Sequence, residues 1–389
     1  GISTAICIGG AGAMFWMWLV AILGSASAFI ESTLAQIYKR KAADGSSYGG
    51  PAYYIQAVLK KRWLGILFAG TLIVTYMGGF NMVAAFNIAD SFRAYSFYDP
   101  STTPLIIGAV LAAAFAVCIF GGSKQISKIT GVLVPVMGIF YILVSLVIIV
   151  THLNLVPQMF ADIFTQAFDF KAIFGGFTGS AIMQGIKRGL FSNEAGVGSA
   201  PNAAASAGVS HPVKQGLVQM LSVYIDTIVI CSATAFMLLC SGIEPSTDLQ
   251  GMPYVQAAVA NTLGSFGTIF ITIALVLFAF TTLIGNFYYA EMGLGYICDK
   301  TPNKALLMVF RLAAALIVCF GATMEFSVAW NTADVLMGLM AIINLPVILI
   351  LGGPAVRCMN DYLKQKKEGK NPVFKAKDID LETKTDFWN

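Results

Sequence analysis

A series of long apolar runs constrains this chain more than any other feature. Residues 12–38, 63–92, 104–122, 129–151, 212–240, 264–297, 304–322 and 335–356 are continuous and dominated by aliphatic and aromatic side chains. At about 1.5 Å per residue, each is long enough, or nearly so, for a helix to cross about 30 Å of hydrocarbon. Lipid supplies no hydrogen bonds, so a spanning backbone must be a helix or a closed barrel. Barrel strands are about 10 residues long and alternate in polarity, unlike these runs. The charged fraction agrees: 11% of 389 residues, against about 25% in soluble domains. The expected fold class is an all-α integral membrane protein, multi-pass and set in a prokaryotic inner or cell membrane.

Charge placement predicts orientation. Lys39, Arg40, Lys41, Lys60, Lys61 and Arg62 bracket the connection after the first long run. Lys124 and Lys128 lie two crossings on, followed by Lys187, Arg188 and Lys214, then Lys300, Lys304 and Arg311, then Arg357 and a basic tail at 364–384. The alternate connections hold only Arg93 and Lys171 among basic residues. By the positive-inside rule, the basic connections and the C-terminus are cytoplasmic. Residues 359–389 are charged and polar, which predicts a cytoplasmic tail that is solvated or lies on the membrane surface.

Several chemistries are excluded. His152 and His211 are the only histidines, and no HExxH, CxxC or GxSxG motif occurs. "GVGS" lacks the GK[ST] ending of a phosphate loop. The seven cysteines sit in or beside apolar segments, as small hydrophobes do. Neither an enzyme nor a nucleic-acid partner is expected.

Glycine placement predicts a repeat. "GISTAICIG" at 1–9 is apolar but short, and "GGAGAM" separates it from the first full run, so it reads as half of a helix. "AIFGGFTGSAIMQGIKRGLF" at 172–191 carries five glycines, each disfavouring helix by about 1 kcal/mol. Interrupted helices in corresponding positions point to the inverted repeats of a transporter. The predicted division is a first repeat over 1–151, an extracellular connection over 152–164, a second repeat over 165–358 and the tail over 359–389.

Polar groups inside apolar runs are costly and therefore informative. Thr281 and Thr282 sit mid-run and offer hard oxygen ligands suited to a monovalent cation, although such hydroxyls also bond back to their own helix. Asn81, Asn87, Asn286, Asn331 and Asn344 read as interhelical amides. Asp226 could be an ion or proton ligand. Glu31 and Asp334 read as snorkelling or structural groups. Tyr76, Phe80, Phe280, Phe287 and Trp330 could shape a pocket.

Four ordered segments resemble the alanine or glycine:cation symporter family: "GGPAYYI" (49–55), "GIKRGLFSNEAGVGSAPNAAA" (185–205), "FAFTTLIGNFYYAE" (278–291) and "WNTADVLMGLMAIINL" (330–345). The resemblance implies a LeuT-type 5+5 inverted-repeat bundle that works as a monomer. It implies symport of small neutral amino acids with sodium, or in some members a proton, and no cofactor beyond the coupling ion. It points to Asn81, Gly176, Thr178, Gly179, Ser180, Gln184 and Asn286 for substrate, with Ala85 where the family commonly has glutamine. For sodium it points to the Phe278 carbonyl with Thr281 and Thr282. Lys187, Arg188, Ser192, Asn193 and Glu194 are expected at the cytoplasmic inner-gate connection, about 14 Å along a helix from the substrate site near Ser180 and out of contact with the amino acid. Gly1 matches the end of the family's first unwound stretch, so most of the first fold helix precedes this sequence, and the chain as it stands is expected not to transport. The alternative is an amino-acid-binding sensor, or an inactive fragment of the symporter.

Overall fold

The computed structural model describes all residues except 122, 170–175, 177–179, 247–248, 300–301, 382 and 389, and describes no side chains at 123–130, 132 and 133. The chain opens with α1 (Ile2–Gly9), which stops at Gly10, where φ is 73°. Such a positive φ favours glycine because it has no Cβ to clash. The long helix α2 (Ala13–Ile37) follows. A small hairpin, Arg40–Lys41 paired antiparallel with Ser47–Tyr48, leads to α3 (Pro51–Leu59), which begins with the residue best suited to a first turn. Next come α4 (Arg62–Ala94), α5 (Thr103–Gly121), α6 (Ser123–Thr151) and α7 (Val156–Ala167). The second half contains α8 (Ala181–Asn193), the short α9 (Ala200–Ala204) and α10 (Pro212–Leu239). It ends with α11 (Met252–Cys298), broken at Gly264, then α12 (Lys304–Gly321) and α13 (Phe326–Lys367).

Eight of these helices are long and apolar enough to cross a membrane, one for each apolar run of the sequence. The bundle is apolar outside and partly polar inside. Val117, Leu349 and Ile350 are largely exposed on its flanks, whereas Glu31, Ser32, Thr33 and Gln36 of α2 are fully buried. A lipid-facing surface and a polar interior produce this inversion. The spans α4 and α10 each contain a π-helical stretch, Val74–Phe80 and Tyr224–Cys231. Such stretches are rare and cluster at functional positions.

Contacts at its two ends fix the direction of α8. Near its start, a Cβ on Gly9 of α1 would lie 2.8 Å from Gln184, and a Cβ on Gly185 would collide with Trp16 and the Ala13 carbonyl. Glycine therefore permits the close seam between α1, α2 and α8. Nearby, the Ala11 amide donates to Gln166 Oε1 (2.8 Å) and Trp16 Nε1 donates to the Ala167 carbonyl (3.0 Å). These residues belong to the face carrying α7 and the α1–α2 turn. Beyond α9 the chain reaches the opposite face, where Lys39 Nζ donates to the Ala207 carbonyl (3.2 Å) at the end of α2. Thus α8 and α9 are two parts of one crossing, and residues 194–199 interrupt it inside the bundle. This corrects the expected siting of Lys187, Arg188, Ser192, Asn193 and Glu194. They lie on the half-helix remote from the Lys39 face and at the interruption, not where the chain leaves the bundle beyond α9. Charge counting went wrong because Arg188 is not a loop residue: it is 4% exposed and ion-paired.

The tail also departs from expectation. It folds against the helix ends that carry Lys39 and Lys214, with Phe374, Ile379 and Trp388 buried. Trp388 Nε1 donates to the Gln36 carbonyl (2.8 Å), and Lys39 Nζ lies 4.8 Å and 4.9 Å from the ring centres of Phe387 and Trp388. The Phe374 amide donates to the Ser210 carbonyl (3.0 Å), and Lys214 Nζ donates to Asn371 (2.7 Å). The hidden signal was three large apolar residues spaced through a charged segment.

Candidate functional site

The site is built around the interruption "EAGVGS". Helix α8 stops because Glu194 takes a left-handed conformation (φ 52°), and Gly196 and Gly198 follow with φ of 81° and 92°. Pro201 then starts α9. Such a break frees backbone groups where no water is at hand, so side chains must satisfy them. Glu31 Oε1 accepts from the Gly196 amide (3.3 Å), and Asn344 Nδ2 donates to the Gly196 carbonyl (3.0 Å) and to Glu31 Oε2 (2.9 Å). The Tyr54 hydroxyl donates to Asn344 Oδ1 (2.7 Å) and fixes that amide. Asn193 Oδ1 accepts from the Ala195 amide (3.1 Å), and Asn202 Nδ2 donates to the Gly198 carbonyl (3.0 Å).

Three carboxylates surround the break, Glu31 fully buried and Glu194 and Asp226 partly so, and each is held by uncharged donors. Glu31 has the Gly196 amide and Asn344. Glu194 accepts from the Ser199 hydroxyl (2.5 Å), with Tyr76 beside it. Asp226, in the π-helical stretch of α10, accepts from Ser192 (2.6 Å) and Thr227 (3.1 Å). None of the three has an ion-pair partner among the described residues.

A cavity of about 400 Å³ opens beside the break. Its wall combines the start of α1 (Gly1, Ile2), the middle of α4 (Phe80, Val83, Ala84, Asn87) and the end of α8 (Arg188, Phe191, Ser192) with Glu194. Phe278 and Thr282 of α11 and Trp330 of α13 complete much of the remainder. Phe191 stacks on Phe80 with centroids 4.7 Å apart and rings inclined by 16°. The Arg188 guanidinium ion-pairs with Asp334 and lies 4.7 Å over the Trp330 ring. The volume falls within the roughly 300–1,000 Å³ of small-molecule sites.

The residues expected at the site fall into separate places. Phe278 and Thr282 line the cavity. The hydroxyls of Thr281 and Thr282 both donate to the Phe278 carbonyl, at 2.8 Å and 2.9 Å. Asn286 Nδ2 donates to Asn81 Oδ1 (3.0 Å), a buried bond between α11 and α4. Ala85 is packed in the apolar seam with Leu283 and Phe287. Ser180 is the N-cap of α8, accepting from the Met183 amide (3.3 Å), and Gln184 lies beside Gly9. Ser180 and Gln184 are thus at the outer end of α8, away from the cavity wall. Gly176 is exposed, and Thr178 and Gly179 lie outside the described residues. Sequence reasoning looked for the break in "GGFTGS" because glycine is densest there. It missed the cavity roles of Arg188, Phe191 and Glu194. The signal available was the specific SNEAGVGSAP string, in which two glycines separated by one residue follow an acid within a buried crossing.

An interrupted crossing, a polar interior and a central cavity describe a carrier, and comparison with known proteins identifies which kind. The profile of the Sodium:alanine symporter family matches residues 1–376. The chain belongs to the sodium:alanine symporter family. A probable sodium/glutamine symporter from Bacillus subtilis is 44% identical over 375 residues, covering 96% of this chain and 77% of that protein. A sodium/alanine symporter from Methanococcus maripaludis is 40% identical over 381 residues, covering 95% and 82%. A sodium/proton-dependent alanine carrier from a Bacillus species is 36% identical over 405 residues, covering 100% and 89%. This member of the symporter family is therefore a multi-pass membrane transporter and not an enzyme. The cavity beside 194–199 is the candidate solute site of this carrier. The interruption supplies polar groups there without exposing them to lipid.

Proposed function

We propose that this symporter carries a small neutral amino acid, alanine or glycine, coupled to sodium. The observation that carries the reading is the cavity at the end of α8. The helix C-terminus presents partial negative charge, which with Glu194 suits an ammonium group, and the apolar wall from Phe80, Val83 and Ala84 suits a small side chain.

For sodium, the proposed ligands are the Phe278 carbonyl with the Thr281 and Thr282 hydroxyls. Their oxygens already converge within 2.8–2.9 Å, and hard oxygen ligands match a monovalent cation. The carboxylates held by neutral donors offer an acceptor for a coupled proton instead. The proposed architecture is a pair of inverted repeats over 1–151 and 165–358, working as a monomer and exposing the cavity alternately to each side. The test is uptake of radiolabelled alanine, glycine and glutamine into proteoliposomes holding the protein, with external sodium exchanged for choline. Sodium-dependent accumulation of alanine or glycine supports the reading. Accumulation of glutamine alone refutes the substrate, and uptake indifferent to sodium but driven by a pH gradient refutes the ion.

A further inference from the structure

Arg188 lines the cavity and is 4% exposed, yet its hydrogen bonding is incomplete. Its Nη2 is committed to Asp334, while Nε and Nη1 meet no acceptor among the described residues. Trp330 Nε1, on the ring beneath the guanidinium, likewise has no partner among them, in a residue 5% exposed. A buried donor left unpaired costs about 1–3 kcal/mol, and native interiors leave few of them. Three such donors gathered at one cavity wall are explained if an acceptor arrives with the substrate.

We infer that Arg188 is the receptor for the substrate's carboxylate, with Trp330 Nε1 as an auxiliary donor. The inference rests on the amino-acid reading above and deepens it. A guanidinium is a planar fork that matches the two oxygens of a carboxylate. Charge balance narrows the ligand further. Asp334 already offsets the charge of Arg188, and Glu194 adds a carboxylate six residues on, at the end of the same helix. A dianion such as phosphate would add two more negative charges to this site. A zwitterion adds none, and each of its ends meets an opposite charge: its ammonium faces Glu194 while its carboxylate faces Arg188. The substrate is thereby oriented along α8, carboxylate outward and ammonium toward the break.

The competing account makes Arg188–Asp334 a purely structural tie between α8 and α13. Binding of L-alanine and of L-alaninamide, which lacks the carboxylate charge, separates the two accounts in the purified full chain. The unaltered protein should prefer L-alanine. Arg188→Gln should weaken L-alanine by roughly tenfold or more while leaving the weaker L-alaninamide unchanged, so the preference collapses. Asp334→Asn breaks the same tie but frees the guanidinium, so the preference should persist or grow. If Arg188→Gln does not fold, Arg188→Lys serves, since it keeps charge and loses the fork; its preference should shrink. The inference is overturned if the Arg188 variants keep the full preference, or if Asp334→Asn loses it as Arg188→Gln does. If the unaltered chain binds neither alanine, glycine nor glutamine, the amino-acid reading itself fails and takes this inference with it.

Discussion

Asn344→Leu tests whether side chains hold the interruption at 194–199 in place. The substitution preserves approximate volume and removes three bonds: two donated, to Glu31 (2.9 Å) and the Gly196 carbonyl (3.0 Å), and one accepted from Tyr54 (2.7 Å). Asn344, Glu31 and Tyr54 are all fully buried, so water cannot replace what is lost. Interhelical polar contacts in membrane bundles average about 0.6 kcal/mol each, which sets a lower bound of roughly 2 kcal/mol for the three. Leaving the partner groups unsatisfied costs about 1–3 kcal/mol apiece, which raises the upper bound to several times that. The control is Asn286→Leu, which removes the bond to Asn81 at 3.0 Å, in an equally buried setting. Thermal unfolding in detergent should show Asn344→Leu losing two to three times as much stability as the control. Substrate-dependent stabilisation should vanish as well, because the clamp fixes the wall beside Glu194. Equal losses in the two variants, or intact substrate stabilisation in Asn344→Leu, would refute the clamp.

Further outcomes are expected. Gly198→Ala should cost about 2–5 kcal/mol, combining the left-handed penalty with overpacking, since φ is 92° and the added Cβ would meet Phe68 at 2.6 Å; detergent melting curves measure it. Thr282→Val should raise the sodium concentration for half-maximal uptake on the order of tenfold, while Thr282→Ser stays near the parent. Trp388→Ala should release the tail, seen as faster proteolytic cleavage within 370–388 with the transmembrane fragments intact. The tail's docking should also weaken in acid. Burial lowers the pKa of His211 below its usual 6.5, with the Asp361 carboxylate partly opposing that shift. A depressed histidine pKa contributes stability that is full above the unfolded value and lost as pH falls toward the folded one. Protease protection of the tail should therefore decline below about pH 6.5, and His211→Gln should flatten that dependence.

Elements governed by bulk transfer from water to lipid were legible in the sequence. Each of the eight apolar runs corresponds to a long helix, and the run starting at 264 begins where Gly264 breaks α11. The break expected in "GGFTGS" falls mostly on residues outside the described ones, and the interruption at 194–199 was missed because glycine count is a poor guide to φ. Residues 185 and 189 are helical glycines used for close packing against Trp16 and Val20, whereas Gly196 and Gly198 adopt positive φ. Only the packed structure separates these uses. Glu31 and Asp334 were read as snorkelling or structural groups, and sequence distance hid their partners: Glu31 meets Asn344 and Asp334 meets Arg188, each from a remote helix. The tail escaped notice for a related reason, since Trp388 is buried only by its contacts with α2.

The hydrogen bonds at the break also constrain how this symporter can move. Gly196 is tied at its amide to Glu31 of α2 and at its carbonyl to Asn344 of α13, while Glu31 and Asn344 are bonded to each other. Any rotation of α2 and α8 against α13 must lengthen at least one member of this triangle. Arg188–Asp334 joins α8 to α13 a second time, on the outer side of the cavity. Two ties between the same elements, one on each side of the proposed solute site, cannot both hold through an opening motion. If the substrate's carboxylate competes with Asp334 for Arg188, occupancy loosens the outer tie while the inner triangle stays closed. Opening to the cytoplasm then needs a separate event at Glu31, and a carboxylate surrounded by neutral donors can undergo one by changing its charge state. Glu31→Gln should accordingly leave outward-side binding of L-alanine near the parent value and slow its release inward. Counterflow and net efflux from loaded proteoliposomes distinguish the two steps. Equal loss of external binding and of efflux would show that Glu31 serves the cavity itself rather than the inner tie.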